Sequence, residues 1–223
     1  MIQEYIDIKE EMKKVYLHDN RPWMIGYSGG KDSTLLCQLV FEMLEELPEE
    51  NRNKKVYIVT SDTLVENPIV KNYMHKMNKA INEASQQKKL NVEAHMLYPE
   101  TKNTFWSLVI GLGYPTPEPP GFRWCTERLK INPSNAFTYN TIKKDGEIVI
   151  LLGVRKAESA SRSRSISSRE IEGKLLTRHD QIAKAYVYSP LSEIRNENVW
   201  EYLLQGNGMS PWNTDNKYLY SLY

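Results

Sequence analysis

The chain has 223 residues, 40% apolar and 26% charged, a balance that excludes both a disordered tail and a membrane-embedded bundle. Its 29 basic and 28 acidic side chains leave a formal charge of +1, so any hold on nucleic acid must come from a local patch. Two cysteines, Cys37 and Cys125, exclude a disulfide framework and, unaided, a four-cysteine metal cluster. No apolar run approaches the roughly 18 residues that span a bilayer, and Met1-Ile2-Gln3-Glu4-Tyr5 lacks the basic-then-apolar layout of a secretion signal. A cytoplasmic protein with no membrane partner is expected.

Residues 3–18 space Tyr5, Ile8, Met12, Val15 and Tyr16 at helical intervals, and Arg21-Pro22 ends the pattern. Trp23 to Tyr27 is a short apolar run, read as a buried strand, and it runs directly into Ser28-Gly29-Gly30-Lys31-Asp32-Ser33. From Asp32 the period changes: Leu36, Leu39, Val40, Met43, Leu44 and Leu47 share one helical face until Pro48. The unit then recurs in kind. Val56 to Thr60 is a β-branched and aromatic strand leading into Ser61-Asp62-Thr63, and Asn67-Pro68 is a capping side chain followed by proline at a first helical position. Val92 to Tyr98 reads as a third strand. After the proline-rich stretch 115–120 helix resumes, and Ile148 to Leu152 is the clearest strand.

Strands alternating with helices predict a three-layer α/β/α, doubly wound, mostly parallel sheet, formed as one domain over 1–223. Ligands in such sheets gather at the carboxyl ends of the strands, so Ser28–Ser33, Ser61–Thr63 and Gly153–Arg155 should line one crevice. Residues 156–180 alternate serines with Arg162, Arg164 and Arg169 and carry little apolar periodicity. They predict a basic loop, either a solvated excursion or a lid touching phosphate. A helical segment closes the chain at 196–223, with Asn196 expected as its cap.

The chemistry concentrates in Ser28–Ser33. Two glycines let the backbone approach a ligand, the following helix aims unpaired N–H groups at it, and Lys31 adds a full charge, with Ser28 and Ser33 as hydroxyl donors to phosphate oxygens. The common nucleotide P-loop needs a glycine immediately before its lysine and another five residues earlier, and its lysine is followed by Ser or Thr; here Asp32 follows. A plain glycine turn would not call for Lys, Asp and two serines together. The four histidines lack metal-ligand spacing, and His179 alone sits in a suggestive setting, beside Arg178 and Asp180.

The hexapeptide resembles the pyrophosphate loop of the PP-loop ATP pyrophosphatases, whose fold is adenine nucleotide α-hydrolase-like. Arg123-Trp124-Cys125-Thr126-Glu127-Arg128-Leu129-Lys130 resembles the cysteine–arginine segment of phosphoadenylylsulfate reductases. Gly153–Ser159, Ser189-Pro190-Leu191 and Val199–Leu203 follow that family's order. Asp19–Trp23, Ser61–Glu66 and Arg123–Lys130 are similar to the DndC family of bacterial DNA phosphorothioation proteins, over nearly the whole chain. The resemblance implies cleavage of ATP between its α- and β-phosphates, adenylation of a DNA backbone phosphate, and replacement of an oxygen by sulfur. It also implies three partners: DNA, a cysteine desulfurase as sulfur donor, and the other DNA phosphorothioation proteins.

On this footing ATP lies on Ser28, Gly29, Gly30, Lys31, Asp32 and Ser33, with Asp62 near the adenosine and Arg155 holding a second phosphate. Lys31 and the glycine loop would stabilise the leaving pyrophosphate, and Asp32 and Asp62 would hold Mg²⁺. Asp62 as a helix-capping or turn aspartate and Arg155 in a surface ion pair are the plainer readings of those two positions. Cys125 would ligate an iron–sulfur cluster or carry sulfur, unless it is a buried structural cysteine; Cys37 reads as core packing. The family places further cysteines beyond the segment matching Leu219–Tyr223, so a [4Fe-4S] cluster is expected of the full-length family, and this chain is expected to be a truncated form. Three alternatives stay open: a sulfonucleotide reductase, a thiolase for another nucleic acid, and an ATP-binding assembly module without turnover.

Overall fold

The computed structural model describes residues 2–118, 123–167 and 174–223. Helix α1 (Ile2–His18) buries Tyr5, Met12, Val15 and Tyr16, then β1 (Trp23–Gly26) feeds α2 (Lys31–Glu46). β2 (Val56–Ser61), α3 (Pro68–Gln87) and β3 (Val92–Leu97) follow. Asn67 caps α3 as its sequence predicts, its side-chain oxygen accepting from the Ile69 N–H at 2.9 Å. Helix α4 (Trp124–Thr126) passes through a π-turn at Glu127–Ile131 into α5 (Asn132–Asp145), which leads to β4 (Ile148–Leu151). The chain continues through α6 (Ala160–Ser167), β5 (Thr177–Arg178), β6 (Ala185–Tyr188), α7 (Asn196–Leu204) and α8 (Asn216–Ser221).

The six strands lie in the order β3-β2-β1-β4-β6-β5, all parallel except β5, which runs antiparallel to β6. Alternate residues along each strand face opposite layers. Trp23, Ile25, Val56, Ile58, Val149 and Leu151 pack into one core with the apolar stripes of α1, α2, α3 and α7. Met24, Tyr57, Val59, Ile148 and Ile150 pack into a second, against Phe137 and Ile142 of α5. The expected doubly wound α/β/α architecture is therefore present. From β1 the chain winds outward through β2 to β3, and then returns to place β4 on the other side of β1. The two connections leave on opposite faces, which opens a crevice at the carboxyl ends of β1 and β4.

The sheet's β3 edge is closed by a side chain. Asn82 of α3 donates to the Ala94 carbonyl at 2.9 Å and accepts from the Ala94 N–H at 2.8 Å. Ser85 also donates to Val92 O at 2.7 Å.

Two sequence expectations are corrected. The stretch 156–180 is not a loop throughout. Lys156–Glu158 forms a 3₁₀ turn, Ala160–Ser167 is helix and Thr177–Arg178 is a strand, while Ser168 and Arg169 lie outside the described residues. Ser159 starts α6: its backbone oxygen accepts from the Ser163 N–H and its hydroxyl from the Arg162 N–H, so serine here begins a helix rather than a bend. Asn196 does not cap α7. It is the helix's first residue, and its side-chain oxygen is taken by Arg155.

Candidate functional site

The glycine loop turns between β1 and α2 because Gly29 takes φ +73°, a region costly for a side chain, while a Cβ there would meet Met74 Cγ at 3.3 Å. The serines stitch the loop. Ser33 Oγ accepts from the Ser28 N–H at 3.2 Å, lies 3.1 Å from Ser28 Oγ, and donates to Gly30 O at 3.0 Å. The Lys31 N–H donates to the Tyr223 hydroxyl at 3.1 Å, and Lys31 Nζ lies 5.2 Å from the centre of that ring. The first turn of α2 thus presents backbone donors and a lysine at the strand ends, as an anion requires.

Beside the loop opens a cleft of about 610 Å³, lined by Gly26, Ser28, Ser61, Met74, Lys130 and Thr138 among others. Its size suits a small-molecule ligand. A Cβ at Gly26 would find nothing within 4 Å, so the missing side chain leaves open floor between β1 and the loop. A second hollow of about 690 Å³ lies against α1, but its wall of Glu4, Asp7 and Glu11 repels anions and contains none of the loop residues.

Asp32 and Arg155 meet. Arg155 is fully buried; its Nε donates to Asp32 Oδ1 at 2.6 Å, Nη1 to Ile194 O at 3.2 Å and Nη2 to Asn196 Oδ1 at 2.6 Å. Its guanidinium is committed to protein oxygens on three sides, the arrangement of an ion pair rather than an open phosphate clamp. Asp32 Oδ2 faces Lys31 Nζ at 3.4 Å and is the carboxylate oxygen left toward the loop. The pair is brought together at Gly153, where a Cβ would lie 2.9 Å from Asp32 O and 3.1 Å from Asp32 C. No side chain fits there.

Asp62 is wholly buried at the end of β2. One oxygen accepts from the Leu64 N–H at 2.8 Å; the other lies 3.2 Å from His75 Nε2 and 3.8 Å from Lys71 Nζ. It is a turn aspartate as well as an ion-pair partner. Leu64 follows at φ +65°, a bend this hydrogen bond holds. With both oxygens engaged and no exposure, Asp62 does not fit the Mg²⁺ expected of it. Asp32 does fit, through Oδ2, since that ion asks for a carboxylate or two with phosphate oxygens and water.

Cys125 is half-buried in α4 beside Trp124, which stacks on Phe105 and donates to Pro115 O at 2.9 Å. Cys37 is fully buried on α2, and burial pushes its thiol far above the usual range, as core packing predicts. Among the described residues no group of three or more His, Cys, Asp or Glu could hold a metal ion. Cys37 lies in the core and Cys125 stands apart from it, so the described residues assemble no ligand set for a [4Fe-4S] cluster. No described helix is long and apolar enough to cross a membrane.

Sequence reasoning missed His75, Lys71 and Tyr223; it placed Gly153 in the crevice without its contact to Asp32, and read Asn196 as a helix cap rather than a partner of Arg155. Lys71 and His75 carried a usable signal, four apart on one face of α3. Contacts such as Arg155 to Asp32 or Tyr223 to Lys31 span most of the chain, and no local pattern announces them.

The mostly parallel sheet, the switch-point crevice and the glycine loop at a helix N-terminus give the chain an adenine nucleotide α-hydrolase-like fold. Residues 22–209 match the phosphoadenosine phosphosulfate reductase domain family, and the chain belongs to it. An uncharacterised protein of Methanocaldococcus jannaschii is 25% identical over 202 residues, covering 91% of this chain and 35% of its own length. The chain thus spans about a third of that curated relative. A phosphoadenylyl-sulfate reductase of Candida auris superposes with a TM-score of 0.51 at 11% identity, covering 98% of this chain and 91% of its own. The U34-tRNA thiolase NcsA of Methanococcus maripaludis, solved with its [4Fe-4S] cluster, gives 0.52 at 14% identity, covering 98% and 72%. At these identities the two structures show a shared fold.

Proposed function

We propose that the chain is a PP-loop ATP pyrophosphatase that adenylates a DNA backbone phosphate so that sulfur can replace an oxygen, in the manner of the DndC family. The observation that carries the reading is the Ser28–Ser33 loop, which sets Ser28 on the wall of the switch-point cleft and Lys31 at the first turn of α2 beside it. An acceptor oxygen attacks the α-phosphorus of ATP and pyrophosphate leaves. A sulfur nucleophile then attacks the acceptor phosphorus and AMP leaves. Lys31 and the N–H groups of the first turn stabilise the pyrophosphate as its charge develops. Mg²⁺, when bound, neutralises charge shared between the phosphates, and Asp32 is the residue that would hold it. Arg155 acts through Asp32, fixing that carboxylate. Lys130, paired with Glu66 at 3.1 Å, and Arg162 are the cations on the cleft wall that a polyanionic acceptor would meet. DNA, a cysteine desulfurase and the other phosphorothioation proteins are the partners this chemistry asks for, and Cys125 is the sulfur carrier within the chain.

The test is product analysis from ATP and Mg²⁺, with and without DNA, for the wild type and Lys31→Ala. AMP and pyrophosphate, lost in the variant, are expected; ADP and inorganic phosphate would refute α–β cleavage. The family match favours one other reading, a sulfonucleotide reductase-like site. Binding of phosphoadenylyl sulfate with no release of pyrophosphate from ATP would select it. ATP binding without turnover, even with DNA and partners, would mark an assembly module.

A further inference from the structure

Helix α5 separates two hollows. Ile131, Ser134, Asn135 and Thr138, at helical spacing, line the nucleotide cleft. Asn132, Ala136, Phe137 and Asn140, on the adjoining face, line a separate pocket of about 450 Å³ at the carboxyl end of β3. Its floor is apolar, with Leu97 and Phe137, and the Tyr98 ring lies 48% exposed on its wall. Arg128, Asn132 and Asn140 also line it, and their side chains make no hydrogen bond or ion pair with any other described residue.

The lining selects a class of ligand. The lining carries one cation, Arg128, and one anion, Glu100, which pairs with Lys102 at 3.2 Å, so charge alone does not select the ligand. Carboxamides offer a donor and an acceptor side by side, which matches the edge of a nucleobase; a guanidinium matches guanine's acceptor pair in the same way. An exposed tyrosine gives any base a face to stack on. The pocket and the nucleotide cleft stand back to back across one helix, about 10 Å wide with its side chains. One strand can therefore reach both.

We propose that this pocket takes a base of a single-stranded acceptor, unstacked next to the phosphate presented to the nucleotide cleft. This rests on the nucleic-acid reading above and adds where the strand is gripped. It also implies that duplex DNA must open locally before reaction, because a base still stacked and paired cannot enter the pocket.

The experiment measures anisotropy of a fluorescent 12-nucleotide single strand, as DNA and as RNA of the same sequence, with the full chain and ATP. Tyr98→Ala with Asn140→Ala alters two exposed side chains, and retained ATP binding would show that the variant is folded. Binding about tenfold weaker than wild type is expected, together with a matching loss when an abasic site replaces one base and no further loss when both changes are combined. Equal affinity of variant and wild type for the strand would overturn the pocket while leaving the DNA reading intact. Preference for RNA would support the pocket and overturn DNA as the acceptor. Failure of the wild type to bind either strand would overturn both.

Discussion

Replacing Arg155 by methionine keeps most of the side-chain stem and removes the guanidinium fork. Three oxygens lose their donors at once: Asp32 Oδ1, Ile194 O and Asn196 Oδ1. Removing one member of a buried ion pair costs about 3–5 kcal/mol, because the other charge is left without compensation. Asp32 is 15% exposed and has Lys31 nearby, which places the cost at the lower end, about 3 kcal/mol. At this chain length each kcal/mol moves Tm by about 2–4 °C, so the variant should melt about 6–12 °C below wild type in scanning calorimetry. A double-mutant cycle with Asp32→Asn should return a coupling of about 1–3 kcal/mol. The reasoning is refuted if Arg155→Met melts like wild type yet loses ATP. That result would mean the guanidinium swings out to hold phosphate, as the sequence alone suggested.

Other outcomes follow from the same geometry. Gly153→Ala drives a methyl to 2.9 Å from the Asp32 carbonyl, a backbone atom that cannot rotate away; it should cost about 1–3 kcal/mol and weaken ATP binding in calorimetric titration. Tyr223→Ala frees the Lys31 N–H for a phosphate oxygen, and ATP should bind about fivefold tighter by the same method, the equivalent of one neutral hydrogen bond. Burial pushes the Asp19 carboxyl up, but hydrogen bonds from Arg21 and the charge of Lys54 outweigh it and hold the group below the usual carboxylate range. Its stabilisation is present above the unfolded value, about 3.9, and is lost as pH falls through the lower folded value. Asp19→Asn should therefore lower Tm at pH 7 and flatten its decline under acid; an unchanged acid limb would sink that assignment.

Local patterns made much of the fold legible. The period change at Asp32, the β-branched run at Val56 and the Asn67-Pro68 start each report interactions within a few residues, and each lies where its sequence placed it. The glycine loop was equally plain, because Gly29 and Gly30 signal backbone geometry directly. What escaped was contact at long range. Arg155 sits at a strand end in sequence, but its burial depends on Asp32, 123 positions earlier, and on a glycine two residues before it. The serine–arginine stretch carries no apolar stripe, so its helix is invisible to periodicity. The π-turns at Ser107–Gly111 and Glu127–Ile131 likewise had no counterpart in the sequence reading.

The Asn82 amide at Ala94 has a bearing on how this molecule associates. An edge strand with free N–H and carbonyl groups is a template for another chain. Here one carboxamide occupies both groups of Ala94, as a neighbouring strand would, so a partner seeking to extend the sheet at β3 must first evict a side chain anchored in α3. Strand addition by another chain is thereby opposed at this edge. Asn82→Ala would leave both Ala94 groups unpaired at that edge and open it to strand addition by another chain.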